Sequence, residues 1–455
     1  MTMKLLRGGL CIGAAALLAS LLPTRTASRP EPVAGGATVS ETLFRNVRVL
    51  DVVNGRLSVP TDVQIDGNRI SKIGNNIVPE KTTKVIDGRG RTLMPGLIDV
   101  HVHLTFSALT MPQMLAPDLT PEAAEEAAGR QAHEMLLRGF TAVRDAGGPI
   151  FGLKRRIDSG EFVGPRIWPS GAVISQTSGH GDFRLPSEGP RKFGGKISRS
   201  ESFGANFIAD GRDEVLTATR ENLRFGASQI KLMAGGGTSS EYDPIDVTQY
   251  TLDEMKAAVD AAEDWNTYVM VHAYTPRAVR RAIDAGVKCI EHGQLLDEET
   301  LRLIAQKGIW LSTQILSDDN PGIDPRRPEQ RREILANTPV IWMTAKRLGV
   351  KLAWGTDFLF DPALNPQQNS YLLRLRQWFT PAEILKLVTY DNAALLALSG
   401  PRSPYSGKLG VVAEGALADL LLVNGDPLAH IDLLGDPARN FDVIMKDGKF
   451  YKGGA

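Results

Sequence analysis

Two histidines stand two residues apart at the end of an apolar, β-branched run, Gly96-Leu-Ile-Asp-Val-His101-Val-His103. On an extended strand, residues i and i+2 project from one face. Both imidazoles therefore converge on one point, which suits two metal ligands and equally suits two histidines on a half-buried strand. Four further polar residues weigh on the choice. Lys231 lies in Gln229-Ile-Lys-Leu-Met, His272 closes Val269-Met-Val, His292 follows Cys289-Ile-Glu, and Asp357 follows Trp354-Gly-Thr. Each sits within or just after a short apolar run, where a polar side chain is unexpected unless it is used. Singly, each has an ordinary role open to it: a hydrogen-bonded histidine, a lysine reaching solvent, an aspartate capping a helix. Together, four of the chain's seven histidines at such positions, with a lysine and a carboxylate, make a candidate metal site. His133 and His430 read as a helix-surface and a loop residue outside it.

The elements that must position these residues are legible from the same runs. Over 95–404, short apolar strands alternate with helical stretches rich in Ala, Leu, Glu and Arg. One strand carries His101. Seven more are predicted over 141–145, 167–174, 229–233, 268–272, 288–292, 309–313 and 351–354. Eight strand–helix units in that length predict a (β/α)8 TIM barrel within the α/β class, whose chemistry lies at the carboxyl ends of the strands. A doubly wound open sheet is the alternative, but no Gly-x-Gly-x-x-Gly turn follows a first strand. The loop over 175–206 is long, polar and Gly-rich, as functional loops are. Residues 41–94 and 405–455 have another character. Short strands there are punctuated by Asn54-Gly55, Asp66-Gly67, Asn424-Gly425 and Asp447-Gly448 hairpin signals. They predict one small β-sandwich domain built from both chain ends.

The chain's 455 residues suffice for a large catalytic domain and a smaller one. Lys+Arg and Asp+Glu are both 52, so no basic field for nucleic acid exists. The N-terminus stands apart. Lys4 and Arg7 precede an apolar run over 8–22, Pro23 breaks it, and Thr26-Ala27-Ser28 is a small-x-small site. This order predicts a signal peptide over 1–28, a flexible lead-in over 29–40, and an exported protein, periplasmic or secreted. The run is shorter than the roughly 18–20 residues that span a bilayer, so no stable membrane anchor is expected. Its removal takes Lys4, Arg7 and Arg25 and no acid, leaving a mildly acidic chain. Of the two cysteines only Cys289 then remains, which precludes an internal disulfide and reads as a buried small hydrophobe.

The ordered set His101-x-His103, Lys231, His272, His292 and Asp357, with its Met94-Pro95-Gly96-Leu-Ile-Asp lead-in, resembles the amidohydrolase superfamily in its two-metal form. The resemblance implies that His101, His103 and Asp357 hold one metal and that His272 and His292 hold the other. Lys231, carboxylated by CO2 to a carbamate, would bridge them. Two zinc ions (Zn2+) are the expected cofactors, with other divalent metals open. The implied chemistry is hydrolysis at a carbonyl or phosphoryl centre by a bridging hydroxide, with Asp357 as general base and acid. The lysine argues against the one-metal deaminases. Superfamily members often form homo-oligomers, and one is expected here.

Three more motifs narrow the resemblance: Ser178-Gly-His180-Gly-Asp182, Ala234-Gly-Gly-Gly237 followed by Tyr242-Asp-Pro244, and His272-Ala-Tyr274. They are similar to the Xaa-Pro dipeptidase and carboxypeptidase-like branch, which includes ochratoxin-hydrolysing amidohydrolases. By that resemblance His180 and Tyr274, then Tyr242, bind the free carboxylate of a small-molecule substrate. A histidine and a phenol can both donate to a carboxylate. His180 equally suits a loop hydrogen bond, and Tyr274 suits core packing. Arg144 and Arg184 are the other cationic candidates, and both also suit the surface. The expected reaction is cleavage of the C-terminal amide of a dipeptide or N-acyl amino acid, ochratoxin-type aryl amides included. An apolar leaving residue such as proline or phenylalanine is expected. A cyclic amidase or lactonase is the first alternative, and a non-catalytic scaffold the second.

Overall fold

Short parallel strands and the helices between them dominate the computed structural model, which describes residues 41–238, 242–316 and 328–454. The class is mixed α/β. The parallel strands are Leu97–Val102, Phe140–Asp145, Arg166–Pro169 with Val173–Ser175, Ile230–Met233, Val269–Ala273, Cys289–His292, Trp310–Thr313 and Lys351–Trp354. All eight predicted strands are present within a residue or two. The signal-peptide and lead-in expectations fall on residues outside those described. Among the described residues no helix is long and apolar enough to cross a membrane.

The third strand departs from the single run predicted over 167–174. It is two pieces: Arg166–Pro169 pairs with the second strand, and Val173–Ser175 pairs with the fourth. Gly171 between them has a left-handed φ of +78°, and a Cβ there would lie 2.5 Å from Asn222 Oδ1. Asn222 occupies the break, accepting from Ala172 N at 3.1 Å and donating to Ala172 O at 2.8 Å. An amide side chain thus replaces a ladder partner, and the parallel strands divide into groups of three and seven. The seventh member of the larger group is Asn206–Ile208, which lies at the end of the segment read as loop and pairs with Val173–Ser175.

The last parallel strand meets the first without a ladder among the described residues. Other contacts join them. Asp357 N donates to His101 O at 2.8 Å, Thr356 Oγ1 donates to Asp99 Oδ2 at 2.7 Å, and Asn392 Nδ2 donates to Ile98 O at 2.7 Å and to Trp354 O at 2.9 Å. Gly355 permits this approach, since a Cβ there would stand 2.5 Å from the His101 Cβ.

The helices follow their caps. Pro121–Leu137 starts at Thr120, whose hydroxyl accepts from Ala123 N at 3.2 Å. Leu252–Asp264 starts with a reciprocal Thr251–Glu254 capping box.

Both chain ends enter one sheet. Thr92–Pro95 pairs in parallel with Thr42–Asp51 and antiparallel with Leu420–Val423, which continues into Phe441–Lys446 and Lys449–Lys452. Strand alternation sorts its faces. Leu420 and Leu422 pack with Phe44, Val63 and Leu93 in a separate apolar cluster, while Leu421 and Val423 join the main core with Met94 and Leu97. Arg166, from the third parallel strand, is paired with Asp419 at 2.8 Å and Asp447 at 2.7 Å. That ties the C-terminal strands to the parallel array.

Candidate active site

His101 is the penultimate residue of the first parallel strand, and His103 precedes the helix Leu104–Ala108. Each ring has one nitrogen fixed by a neighbour. His101 Nδ1 donates to Glu291 Oε2 at 2.6 Å, and His103 Nδ1 donates to the Gly147 carbonyl at 2.7 Å. A carbonyl or carboxylate oxygen only accepts, so both protons sit on Nδ1 and both Nε2 lone pairs face inward. Each Nε2 stands 3.3 Å from Asp357 Oδ1. That oxygen is buried and has no hydrogen-bond partner. The three ligand atoms lie within 4.8 Å of one another. Three lone-pair sources around one point, with no proton between them, repel unless a cation joins them, so these residues fit a divalent metal. Burial, and then the Lys231 charge, pull the His101 pKa down to about 4 against Asp357 and Glu291.

Lys231, His272 and His292 complete the group. Lys231 Nζ is 3.4 Å from His101 Nε2, and burial lowers its pKa against the opposing charges of Glu291 and Asp357. His272 Nε2 donates to Gly236 O at 3.1 Å, leaving Nδ1 as its lone pair. His292 Nδ1 donates to Gln314 Oε1 at 2.7 Å, leaving Nε2. The His272 and His292 rings stand 4.3 Å apart. Burial comes first among the causes that hold both well below the ordinary histidine value. His292 and Asp357 leave their strands with left-handed φ of +76° and +54°. Such backbone is costly for non-glycine residues and collects at functional positions.

All six residues line one open cleft. His180 and Tyr274 line it too. His180 Nδ1 donates to Asp243 Oδ2 at 2.8 Å, and its ring stacks on His272 with centroids 3.9 Å apart. The same Asp243 oxygen accepts from Gly237 N at 2.7 Å. A Cβ on Gly237 would lie 2.1 Å from His180 Cε1, so the glycine run lets backbone pack against that ring. Tyr274 stacks on His292 at 5.1 Å and shares a hydrogen bond with Thr238. Burial and the Asp357 charge raise its phenol, which stays a donor.

Other expected residues lie elsewhere. Tyr242 is 39% exposed and does not line the cleft. Arg184 is engaged by Asp182 through two bonds, at 2.8 and 2.6 Å. Arg144 is neither a cleft cation nor a surface residue. Fully buried, it donates to Val100 O at 2.6 Å, Tyr268 Oη at 3.1 Å and Glu291 Oε1 at 2.7 Å. Cys289 is buried beside it, and burial pushes its thiol up, as suits an inert core residue. Sequence reasoning missed Glu291 and Gln314, which hydrogen-bond to His101 and His292. Gln314 follows the apolar run of the seventh strand, the same signal that marks the candidate ligands.

The profile of the amidohydrolase family matches residues 92–451. Ochratoxinase of Aspergillus niger is 32% identical over 389 residues, which span 83% of this chain and 79% of that protein. A solved prolidase complexed with N-methylphosphonate-L-proline superposes with a TM-score of 0.83 at 34% identity, covering 91% of this chain and 100% of the other. A Xaa-Pro dipeptidase with bound methionine gives 0.76 at 30% identity, with coverage of 91% and 100%. These relatives identify the parallel array as a TIM barrel, with the candidate ligands at the carboxyl ends of its strands. The chain belongs to the amidohydrolase family, in its Xaa-Pro dipeptidase-like branch, and is a hydrolase.

Proposed function

We propose that the protein is a two-zinc amidohydrolase that cleaves the C-terminal amide of dipeptides or N-acyl amino acids. The observation that carries this reading is Asp357 Oδ1, buried and unpartnered between two histidine lone pairs, in a cleft that also presents His180 and Tyr274. His101, His103 and Asp357 would hold one metal, His272 and His292 the other, and Lys231 both as its carbamate. Burial favours the neutral amine. That amine can form the N–C bond to CO2 and release a proton. Bound metals would polarise the amide carbonyl and ready a water for attack.

The chain's own groups do the rest. Glu291 and Gly147 keep the first-strand histidines in one tautomer. Asp357 takes the proton from the attacking water and delivers it to the leaving nitrogen. His180, Tyr274 and Tyr274's partner Thr238, which line the cleft, would bind the substrate carboxylate. Phe106, Phe183 and Phe360 form an apolar side of the cleft that excludes water. The reading extends to an exported chain whose two-ended sheet forms a small β-sandwich, assembled as a homo-oligomer.

The test is release of free amino acid from Xaa-Pro and Xaa-Phe dipeptides and their N-acyl analogues, each with a free and an amidated C-terminus. Cleavage confined to the free acids is expected. Equal cleavage of both forms, or preferential opening of lactones and cyclic amides, would overturn the carboxylate-directed reading.

A further inference from the structure

Tyr242 of the Tyr242-Asp-Pro244 motif stays out of the cleft, and its neighbour takes the role. Asp243 is fully buried and does not line the cleft, yet one of its oxygens serves two loops. Asp243 Oδ2 accepts from His180 Nδ1 at 2.8 Å, in the loop after the third parallel strand. It also accepts from Gly237 N at 2.7 Å, in the glycine run after the fourth. The backbone holds Asp243 in that place. Gly235 pairs antiparallel with Thr248, Gly236 N donates to Val247 O at 3.2 Å, and Gln249 N donates to Ala234 O at 2.8 Å. Residues 243–249 thus return along the glycine run. A Cβ on Gly236 would lie 1.8 Å from Pro244 O, so glycine is what lets the two segments lie this close. From the other loop, Ser178 Oγ donates to Tyr242 O at 3.1 Å.

We propose that Asp243 is the positioning residue of the carboxylate subsite: it fixes the His180 ring and so sets where a substrate carboxylate is received. The inference rests on the carboxylate-directed reading and names the residue behind it. Stacking on His272 fixes the plane of the His180 ring but not its flip within that plane. The bond to Asp243 removes that freedom, holding Nδ1 on the Asp243 side and turning Nε2 away from it. Gly237 completes the lock, since the ring edge occupies the space its side chain would take. The same Asp243 oxygen anchors Gly237 N, and the next residue, Thr238, shares a hydrogen bond with Tyr274. One buried carboxylate therefore sets His180 directly and Tyr274 through Gly237 and Thr238. A charged acceptor bonds about twice as strongly as a neutral one, which keeps the two loops in one arrangement.

The test uses the zinc-loaded protein with N-acetyl-L-proline and N-acetyl-L-prolinamide. Asp243→Ala should raise KM for the free acid about tenfold or more, with a smaller fall in kcat and little change on the amide. Asp243→Asn keeps an oxygen in place without its charge. It should raise KM about fivefold, and it carries the test if Asp243→Ala does not fold. In a His180→Gln background either substitution should cost little more, because its effect runs through that ring. Crystal structures of the parent and the Asp243 variant read the ring directly, without any need for activity. A displaced His180 ring with no hydrolysis of either substrate upholds the positioning role and rejects the proposed activity. A ring that keeps its place and its stack in the variant, or losses that add in full to those of His180→Gln, overturns the proposal.

Discussion

Glu291 holds His101 from below: its Oε2 accepts from His101 Nδ1 at 2.6 Å, while its Oε1 accepts from Arg144 at 2.7 Å. One carboxylate therefore sets the His101 tautomer and neutralises a fully buried guanidinium. Glu291→Gln keeps the shape and removes the charge. Breaking a buried pair at one partner costs about 3–5 kcal/mol. Chemical denaturation of the metal-free protein is expected to show a loss of that order. Zinc affinity should fall about 10–100-fold, as for other groups that orient a ligand histidine. Unchanged denaturation and zinc titration curves would show the pair to be incidental.

Asp357→Asn is a cleaner probe of the chemistry. Asparagine tolerates the left-handed backbone that Asp357 adopts, so the fold should hold. The amide cannot accept and return a proton as the carboxylate does. A fall in kcat of about 10²–10⁴-fold is expected, with a far-UV spectrum like the parent's. A variant retaining most of its kcat would remove Asp357 from proton transfer.

Gly237→Ala tests His180. The added methyl would lie 2.1 Å from the His180 ring, so the ring must move. If His180 binds the substrate carboxylate, KM for free-acid substrates rises about tenfold or more, the loss of one charge-assisted hydrogen bond. Activity toward an amidated substrate, however slight, should change less. Parallel losses on both substrates would point to general disruption of the cleft.

Lys446 gives a pH signature outside the metal site. Its Nζ donates to Gly164 O at 2.7 Å, and burial lowers its pKa from 10.5 to about 8, Asp419 and Asp447 opposing and Arg166 adding to the shift. Between pH 8 and 10.5 the unfolded chain holds this proton more tightly than the folded one. Stability contributed here therefore rises with pH across that window, by up to about 3 kcal/mol, and the cost is fully present below pH 8. Lys446→Met should flatten that slope in urea midpoints measured from pH 7.5 to 10. An identical slope in both proteins would assign it to other groups.

Much of this was legible beforehand, because local signals decide it. Apolar runs located the strands, and period two brought His101 and His103 to one face. What escaped depends on partners far along the chain or on broken periodicity. The interruption in the third strand is supplied by Asn222, some fifty residues away. Glu291 and His292 are neighbours that alternation sends to opposite faces, yet the left-handed backbone at His292 lets both serve the site. Arg144 looked like a cation for the cleft or the surface; only the barrel interior, with Tyr268 and Glu291 waiting, shows why it is buried.

The junction of the last and first barrel strands has a further meaning. It lacks a ladder and is held by Asp357, Thr356, Asn392 and the close approach at Gly355. His101, His103 and Asp357 straddle that same junction. A metal held by them is therefore a clasp on one of the ring's two unladdered seams among the described residues, and the energy of holding it is also energy of keeping the ring shut. Chelation should first loosen amide exchange protection in Leu97–Val102 and Lys351–Trp354, well before the rest of the barrel gives way.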